Sequence, residues 1–397
     1  MNISGIICEY NPFHKGHEYH IRETRKILGE DSAIVCAMSG NFVQRGEAAI
    51  LEKHSRAAAA VSCGADLVVE IPLPYVMSSA EGYAMGAVQL LESMGVCTHL
   101  SFGSECGDID LISETADCLM NPEIHNIIRD ELSSGISYAA ARNRAVHKLI
   151  GEKSDVLMSP NNILAVEYVK ALAAVGSKME PIAVRRMGAG HDMKSDEGFA
   201  SASMVRAEIM AGNDISELLP EPSLCELNRA VQQGRAPVDF SVCENAILSR
   251  LRQMGEEDFA QLPNISEGLH LRLMKYAKTE PTIESILEKT KTKRYAYSRL
   301  RRLVMCAYLG IKRGDSEMPP QYIRVLAANE RGRKLLRKIS KLERTTIITK
   351  PASAKNLAGR AKDMFETEAA STDLYVLAYP DKTQRFGGQE WKISPVV

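Results

Sequence analysis

Residues 11–17 read Asn-Pro-Phe-His-Lys-Gly-His, directly after the apolar run Ile3–Cys8. His14 and His17 stand three apart, with Gly16 between them. A glycine after a strand lets a backbone or a phosphate come close. The helix that follows begins near His17, and its N-terminus favours anions. Two imidazoles at that junction can face one anion, which makes a candidate phosphate site without a P-loop lysine. Their role there is electrostatic. In such a site they can stabilise charge developing on an α-phosphate and on a leaving pyrophosphate, and no nucleophile from the protein is required. The bland alternative is a pair of polar loop residues. It loses ground because the pair closes the first strand of an alternating strand–helix pattern, where ligands bind. A metal pair is disfavoured by the spacing and by the lack of a nearby Cys, Asp or Glu cluster. Cys8 ends the strand, and a buried strand thiol is usually inert.

The elements that must position these histidines follow from short apolar runs at 3–8, 33–38, 66–72, 99–103 and 181–187, which read as strands. Between them, His17–Leu28, Lys53–Cys63 and Ser79–Met94 have helical composition. Ser159 reads as an N-cap with Pro160 at the first helical position. Short buried strands separated by helices predict an α/β fold with a doubly wound, Rossmann-like parallel sheet over residues 1–215. A helical insertion is expected at about 107–178. Ser201–Arg206, SASMVR, reads as a loop entering a helix. From about 221 the alternation stops, and 221–397 is expected to be a mainly helical domain. A basic helical stretch runs to 343, and a small mixed piece follows from about 345, with Asp373–Tyr379 read as a late strand.

At 397 residues, 45% hydrophobic and 25% charged, the chain can bury more than one core. No run of apolar residues is long enough for a membrane span, and the N-terminus lacks a signal-peptide pattern. Nine scattered cysteines with no C-x-x-C pair fit a reduced, cytoplasmic compartment without structural zinc. The net charge of −1 hides an asymmetry. Residues 289–350 hold eighteen Lys and Arg against four Asp and Glu, an excess of +14, while residues 1–288 carry −15. A polyanionic partner is expected for the basic part only. Within it, residues 289–302 interleave Tyr295 and Tyr297 with seven basic residues. Arg and Lys contact phosphate, and tyrosines stack on unpaired bases. Helical spacing puts Arg294, Ser298 and Arg301 in one row, beside Tyr295, Arg299 and Arg302. Leu300, Leu303, Val304 and Ala307 face inward.

His14-Lys15-Gly16-His17 resembles the signature of the HIGH-motif nucleotidyltransferase superfamily, and SASMVR resembles its second motif. More specifically, residues 9–20, 38–49, 102–105 (FGSE), 160–168 (PNNILAVEY) and 185–192 (RRMGAGHD) together are similar to the tRNA(Met) cytidine acetate ligases. Residues 292–311 extend the match. The resemblance implies activation of acetate with ATP to acetyl-adenylate and pyrophosphate. N4 of the wobble cytidine, C34, of elongator tRNA(Met) then attacks the acyl carbon. It implies an ATP site over Ile7, Cys8, Glu9, Tyr10, Asn11, Pro12, Phe13, His14, Lys15, Gly16, His17, Glu18, Tyr19 and His20, with His14 and His17 on the phosphates. Gly103 is expected where a base or ribose needs a residue without a side chain. Of the pairs Asn161-Asn162 and Arg185-Arg186, the family pattern favours Asn162 and Arg186, and the residues themselves leave both open. Ser203 and Arg206 are expected on the outer phosphates. Gln44 and Arg45 form a candidate substrate loop. Lys291, Lys293, Arg294, Arg299, Arg301 and Arg302 are the candidate tRNA contacts. Mg2+ is expected with ATP, and no dedicated metal site is identified. The competing reading is a nucleotidyltransferase that adenylylates a small phosphorylated or carboxylate substrate, which would need no long basic surface. Lys338–Leu342, KISKL, resembles the lysine loop of aminoacyl-tRNA synthetases, but its place inside the basic run reads as RNA surface.

Overall fold

The computed structural model of the chain describes residues 1–187, 200–265 and 268–396. β1 (Ile3–Cys8), α1 (Lys15–Leu28) and β2 (Ala33–Ser39) come first, followed by a hairpin of β3 (Phe42–Val43) and β4 (Glu47–Ala48). Then come α2 (Lys53–Ser62), β5 (Leu67–Ile71), α3 (Leu73–Val76), α4 (Ala80–Ser93) and β6 (His99–Ser104). The connection onward runs through α5 (Ile109–Met120), α6 (Pro122–Ser133), α7 (Tyr138–Ile150), a 3-10 stretch and α8 (Pro160–Ala174), and reaches β7 (Glu180–Arg185). β1, β2 and β5 are buried at every residue, as parallel strands covered on both faces must be.

After α9 (Ala202–Ala211) and α10 (Glu221–Gln232), a helical region holds α11 (Glu244–Gln253), α12 (Glu256–Ala260), α13 (Leu269–Thr279), α14 (Ile283–Thr290) and α15 (Tyr297–Leu309). The chain then returns to the sheet with β8 (Tyr322–Ala328), α16 (Glu330–Lys341) and β9 (Thr346–Ile348), and ends on α17 (Gly359–Tyr375) and short turns. The sheet order is β7-β6-β1-β2-β5-β8-β9. The first five strands are parallel, and β8 joins β5 antiparallel. From β1 the chain winds outward through β2 to β5, then crosses to β6 on the other side of β1. The switch point therefore lies between β1 and β6, and ligands bind outside the carboxyl ends there.

Two expectations need correction. β8 was hidden inside a stretch read as mixed and basic, yet all seven of its residues are buried. It covers the edge that β5 would otherwise expose. Asp373–Tyr379 is no strand: it is the end of α17 and a 3-10 turn, Val376–Ala378. Tyr375, Val376, Ala378 and Tyr379 pack into a second core with α11–α15, Phe42 and Leu73. Tertiary packing has overridden their strand propensity.

The two halves are joined by buried charge. Lys53 Nζ lies 2.7 Å from Glu70 Oε1 and 2.7 Å from Glu390 Oε2, with Glu368 at 4.0 Å. Arg324 of β8 lies 3.4 Å from Glu390. Burial alone would depress the Lys53 ammonium, but Glu390, Glu70 and Glu368 hold it above its ordinary value. Burial and the Glu70 carboxylate push the Glu368 carboxyl well up. Two cations thus face three carboxyl groups. Removing one member of such a group leaves an uncompensated buried charge. Lys53→Met is expected to lower unfolding stability by about 3–5 kcal/mol, read by urea denaturation.

Candidate active site

Residues 9–14 turn from β1 into α1 outside the sheet. Asn11 Oδ1 accepts from Ile50 N at 2.8 Å, and Arg206 Nη1 donates to Asn11 O at 2.9 Å. The two histidines then cap α1 reciprocally. Gly16 N donates to His14 Nδ1 at 3.1 Å, and His14 N donates to His17 Nδ1 at 3.2 Å. Their rings stack with centroids 3.7 Å apart. A backbone N–H is always a donor, so each Nδ1 is an acceptor and the neutral ring carries its proton on Nε2. The spacing of three is thus a capping spacing that leaves two Nε2–H donors.

Burial, with Arg186 and Arg206 nearby, lowers His14 to about 3. Burial and the neighbouring His14, Arg186 and His20 hold His17 well below its ordinary value. Burial, then Arg186, lowers His20 to about 4, and its ring meets Ser101 Oγ at 2.9 Å. The imidazoles are neutral donors at pH 7.

A cleft of about 530 Å³ opens at the switch point, walled by both histidines and by Gly103, Arg186, Ser203 and Arg206. Arg186 lies across Gly103, where an added Cβ would meet its Cγ at 3.3 Å. Its Nε is buried with no hydrogen-bond partner among the described residues. Arg206 Nη2 reaches Ser203 Oγ at 3.3 Å, and Ser201 caps α9. Two helix N-termini and two arginines therefore converge with the imidazoles, which favours a polyanion.

The loop after β6 and the start of α8 lock together. Glu105 accepts from Asn161 N, Asn161 Nδ2 and Asn162 N at 3.3, 2.6 and 2.9 Å. Asn162 Oδ1 accepts from Ser104 Oγ, Glu105 N and Cys106 N at 2.7, 2.9 and 3.3 Å. Asn162 is buried and its side chain holds the loop, whereas Asn161 lines the cleft. Arg185 also lines it.

Of the first stretch, Ile7, Cys8, Glu9, Tyr10, Asn11, Gly16, Tyr19 and His20 line the cleft. Pro12 and Phe13 are buried beneath the turn. Lys15 lies 3.7 Å from Glu217, and Glu18 adds to the burial that pushes the Cys63 thiol up to about 12. Burial pushes the Cys8 thiol well up, which suits a structural residue. Tyr83, Leu164, Tyr168 and Glu47 complete the wall. Sequence reasoning passed over these four, although three of them lie within or beside quoted segments. Of the segment 185–192, residues 188–192 lie outside the described residues.

A family model described as HIGH Nucleotidyl Transferase matches residues 1–390. The chain is 37% identical to the tRNA(Met) cytidine acetate ligase of Acetivibrio thermocellus, with 100% of both chains covered. It is 35% identical to that of Thermosipho melanesiensis, over 100% of this chain and 99% of the other. The chain belongs to the tRNA(Met) cytidine acetate ligase family. The crystal structure of Thermotoga maritima TmcAL bound with alpha-thio ATP superposes with a TM-score of 0.92 at 30% identity, covering 100% of this chain and 99% of that one. The apo crystal structure of the same protein gives 0.93.

In this member of the tRNA(Met) cytidine acetate ligase family, the basic block differs from the helical face expected. α15 starts only at Tyr297, so Arg294 and Tyr295 lie in the turn before it. Leu300, Leu303, Val304 and Ala307 do face the second core. Arg301 pairs with Glu47, and Arg302 Nη1 donates to Gln44 O at 3.2 Å. Both grip the β3–β4 hairpin that carries Gln44 and Arg45 to the cleft. Arg299 lies over Tyr295 and donates to Asn264 O at 2.6 Å. Lys291, Lys293 and Arg294 are exposed. No cluster of three or more His, Cys, Asp or Glu that could hold a metal occurs among the described residues, and no helix among them is long and apolar enough to cross a membrane.

Asn162→Ala strands three donors and is expected to cost about 1–3 kcal/mol in thermal denaturation, with Asn161→Ala costing clearly less. Stability should also depend on pH through the imidazoles. Above pH 6.5 they are neutral folded and unfolded and contribute nothing. As pH falls from 6.5 towards 4, the unfolded chain takes up protons that the native state refuses. Denaturation midpoints are therefore expected to drop across that window, and less steeply in His14→Ala.

Proposed function

We propose that this chain activates acetate with ATP in the cleft and acetylates N4 of C34 in elongator tRNA(Met). The observation that carries the reading is Arg186, a half-buried arginine whose buried Nε lacks a partner among the described residues, set beside two Nε2–H donors. Such a group stabilises a triphosphate and, more strongly, the charge that grows on the α-phosphate and pyrophosphate during attack by acetate. His14 and His17 donate to the α-phosphate side. Arg206 and Ser203 hold the outer phosphates. Gly103 lets base or ribose lie against the end of β6. Asn161 contacts the nucleotide, while Asn162 acts by holding the Gly103 loop. Neutral imidazoles donate without bringing a second full charge to repel Arg186.

The activity shared by the relatives' names supports tRNA(Met) as acceptor, and the alpha-thio ATP bound in the Thermotoga structure supports ATP. Mg2+ accompanies the phosphates. Among the described cleft carboxylates, Glu105 is committed to the α8 cap, Glu47 to Arg301 and Glu9 by one oxygen to Gln44 N, and the nucleotide is its main holder. On this reading residues 1–215 carry the acyl activation with a helical insertion at about 107–178, and 221–397 carry the RNA. Lys291, Lys293 and Arg294 are exposed cations at that surface, and Arg299, Arg301 and Arg302 act mainly by holding the turn and the hairpin.

The test is incubation with ATP, radiolabelled acetate and total bacterial tRNA, followed by digestion to nucleosides. Label is expected in N4-acetylcytidine. Pyrophosphate release with a small acceptor and no label in RNA would install the small-molecule nucleotidyltransferase instead. His14→Ala and His17→Ala are each expected to lower acetate-dependent ATP–pyrophosphate exchange about 100-fold or more while tRNA retention on filters persists. Replacing Lys291, Lys293 and Arg294 by Glu should do the reverse.

A further inference from the structure

The second half-reaction poses a problem that the histidines do not solve. The N4 amino group of cytidine is conjugated with its ring and is a weak nucleophile. As its nitrogen bonds to the acyl carbon it must lose a proton, and a positioned base speeds that loss. His14 and His17 present Nε2–H donors to the cleft, because their Nδ1 atoms accept from backbone N–H groups. They are set up to donate, not to accept.

Among the described residues, three carboxylates line the cleft: Glu9, Glu47 and Glu105. Glu105 caps α8, and Glu47 pairs with Arg301. Glu9 differs. Its Oε1 accepts from Gln44 N at 2.9 Å, which fixes the side chain against the hairpin, and its Oε2 has no partner among the described residues. Arg45 of the hairpin, Arg206 of α9 and Arg56 of α2 lie within electrostatic range, as do the Tyr83 and Tyr168 phenols. Burial pushes both phenols up, so they stay protonated at neutral pH. Burial also raises Glu9, with the Gln44 N–H and the arginines pulling it part of the way back. A carboxylate so placed is more basic than one in water, and its Oε1 is fixed by Gln44 N.

We propose that Glu9, resting on the acetate-ligase reading above, is the general base of acyl transfer and takes the proton from cytidine N4. The N4–C bond forms as the bond from the acyl carbon to the AMP oxygen breaks. AMP leaves with that electron pair, one N4 proton passes to Glu9 Oε2, and water later removes it. The hairpin that fixes Glu9 is itself gripped by Arg301 and Arg302, so the residue presented to the cytidine is set from the RNA-binding half.

The experiment compares single-turnover acetyl transfer from bound acetyl-adenylate to tRNA with ATP–pyrophosphate exchange, in one preparation of the full chain. In Glu9→Gln the ratio of transfer to exchange is expected to fall about 100-fold, with tRNA retention on filters kept. Glu9→Asp, which keeps a carboxylate one methylene short, is expected to lower the ratio by roughly 10-fold and carries the test if the Gln variant does not fold. A ratio that stays at the wild-type value, whether both steps fall together or neither does, overturns the assignment. Wild-type chain that exchanges but never labels RNA overturns the proposed function and this inference with it. Labelled RNA with an unchanged ratio in the variants overturns the inference alone.

Discussion

Lys53 and Arg56 stand one turn apart on α2, and both are almost wholly buried. Arg56 donates to Leu51 O, Glu9 O, Ser39 O and Gly40 O. One guanidinium therefore ties the carboxyl ends of β1 and β2 to α2. Lys53 does the same for β5 through Glu70, and for the C-terminal segment through Glu390. Taking two cations out of water is costly, and the cost is offset only if every donor finds a fixed oxygen. That demand sets the shape of the strand ends. At Gly40 an added Cβ would fall 2.3 Å from Glu70 Oε1, so no side chain fits where β2 stops. The cleft is built on this anchored rim.

How much of this was legible in sequence depended on how local the cause was. β1, the histidine pair and the strand–helix alternation could be read because neighbours in the chain are neighbours in space. SASMVR and FGSE were also found, and both border the cleft. β8 was not legible, because its partner β5 lies about 250 residues earlier and its seven residues include a charged Arg324. Asp373–Tyr379 misled for the opposite reason: its aromatic and β-branched residues suit a strand, but the helices beside it use them as core. Asn161 and Asn162 could not be told apart, since only the position of Glu105 decides which amide turns outward.

The charge asymmetry was a poor guide to individual residues. Of six basic residues singled out, Arg301 and Arg302 face the acidic half of their own chain, meeting Glu47 and the Gln44 carbonyl. A positive block can thus bind a partner and still use part of its charge for internal docking. The arginines with the shortest route to a cleft loop are the ones drawn inward, and those in the turn before α15 are left outside.

The antiparallel placement of β8 has a consequence for how the chain is made. Residues 67–71 emerge early in synthesis, but the strand that covers their edge follows about 250 residues later. Until then Leu-Val-Val-Glu-Ile presents an unpaired apolar rim of the kind that recruits other strands. Glu70 waits equally long for Arg324 and Glu390 to join its cluster. A nascent chain released at residue 215 therefore has its histidines, its glycine turn and its serine loop, and still lacks a closed sheet. The histidines of the cleft are encoded in the first half of the message, and the strand that covers the sheet's edge is encoded in the second.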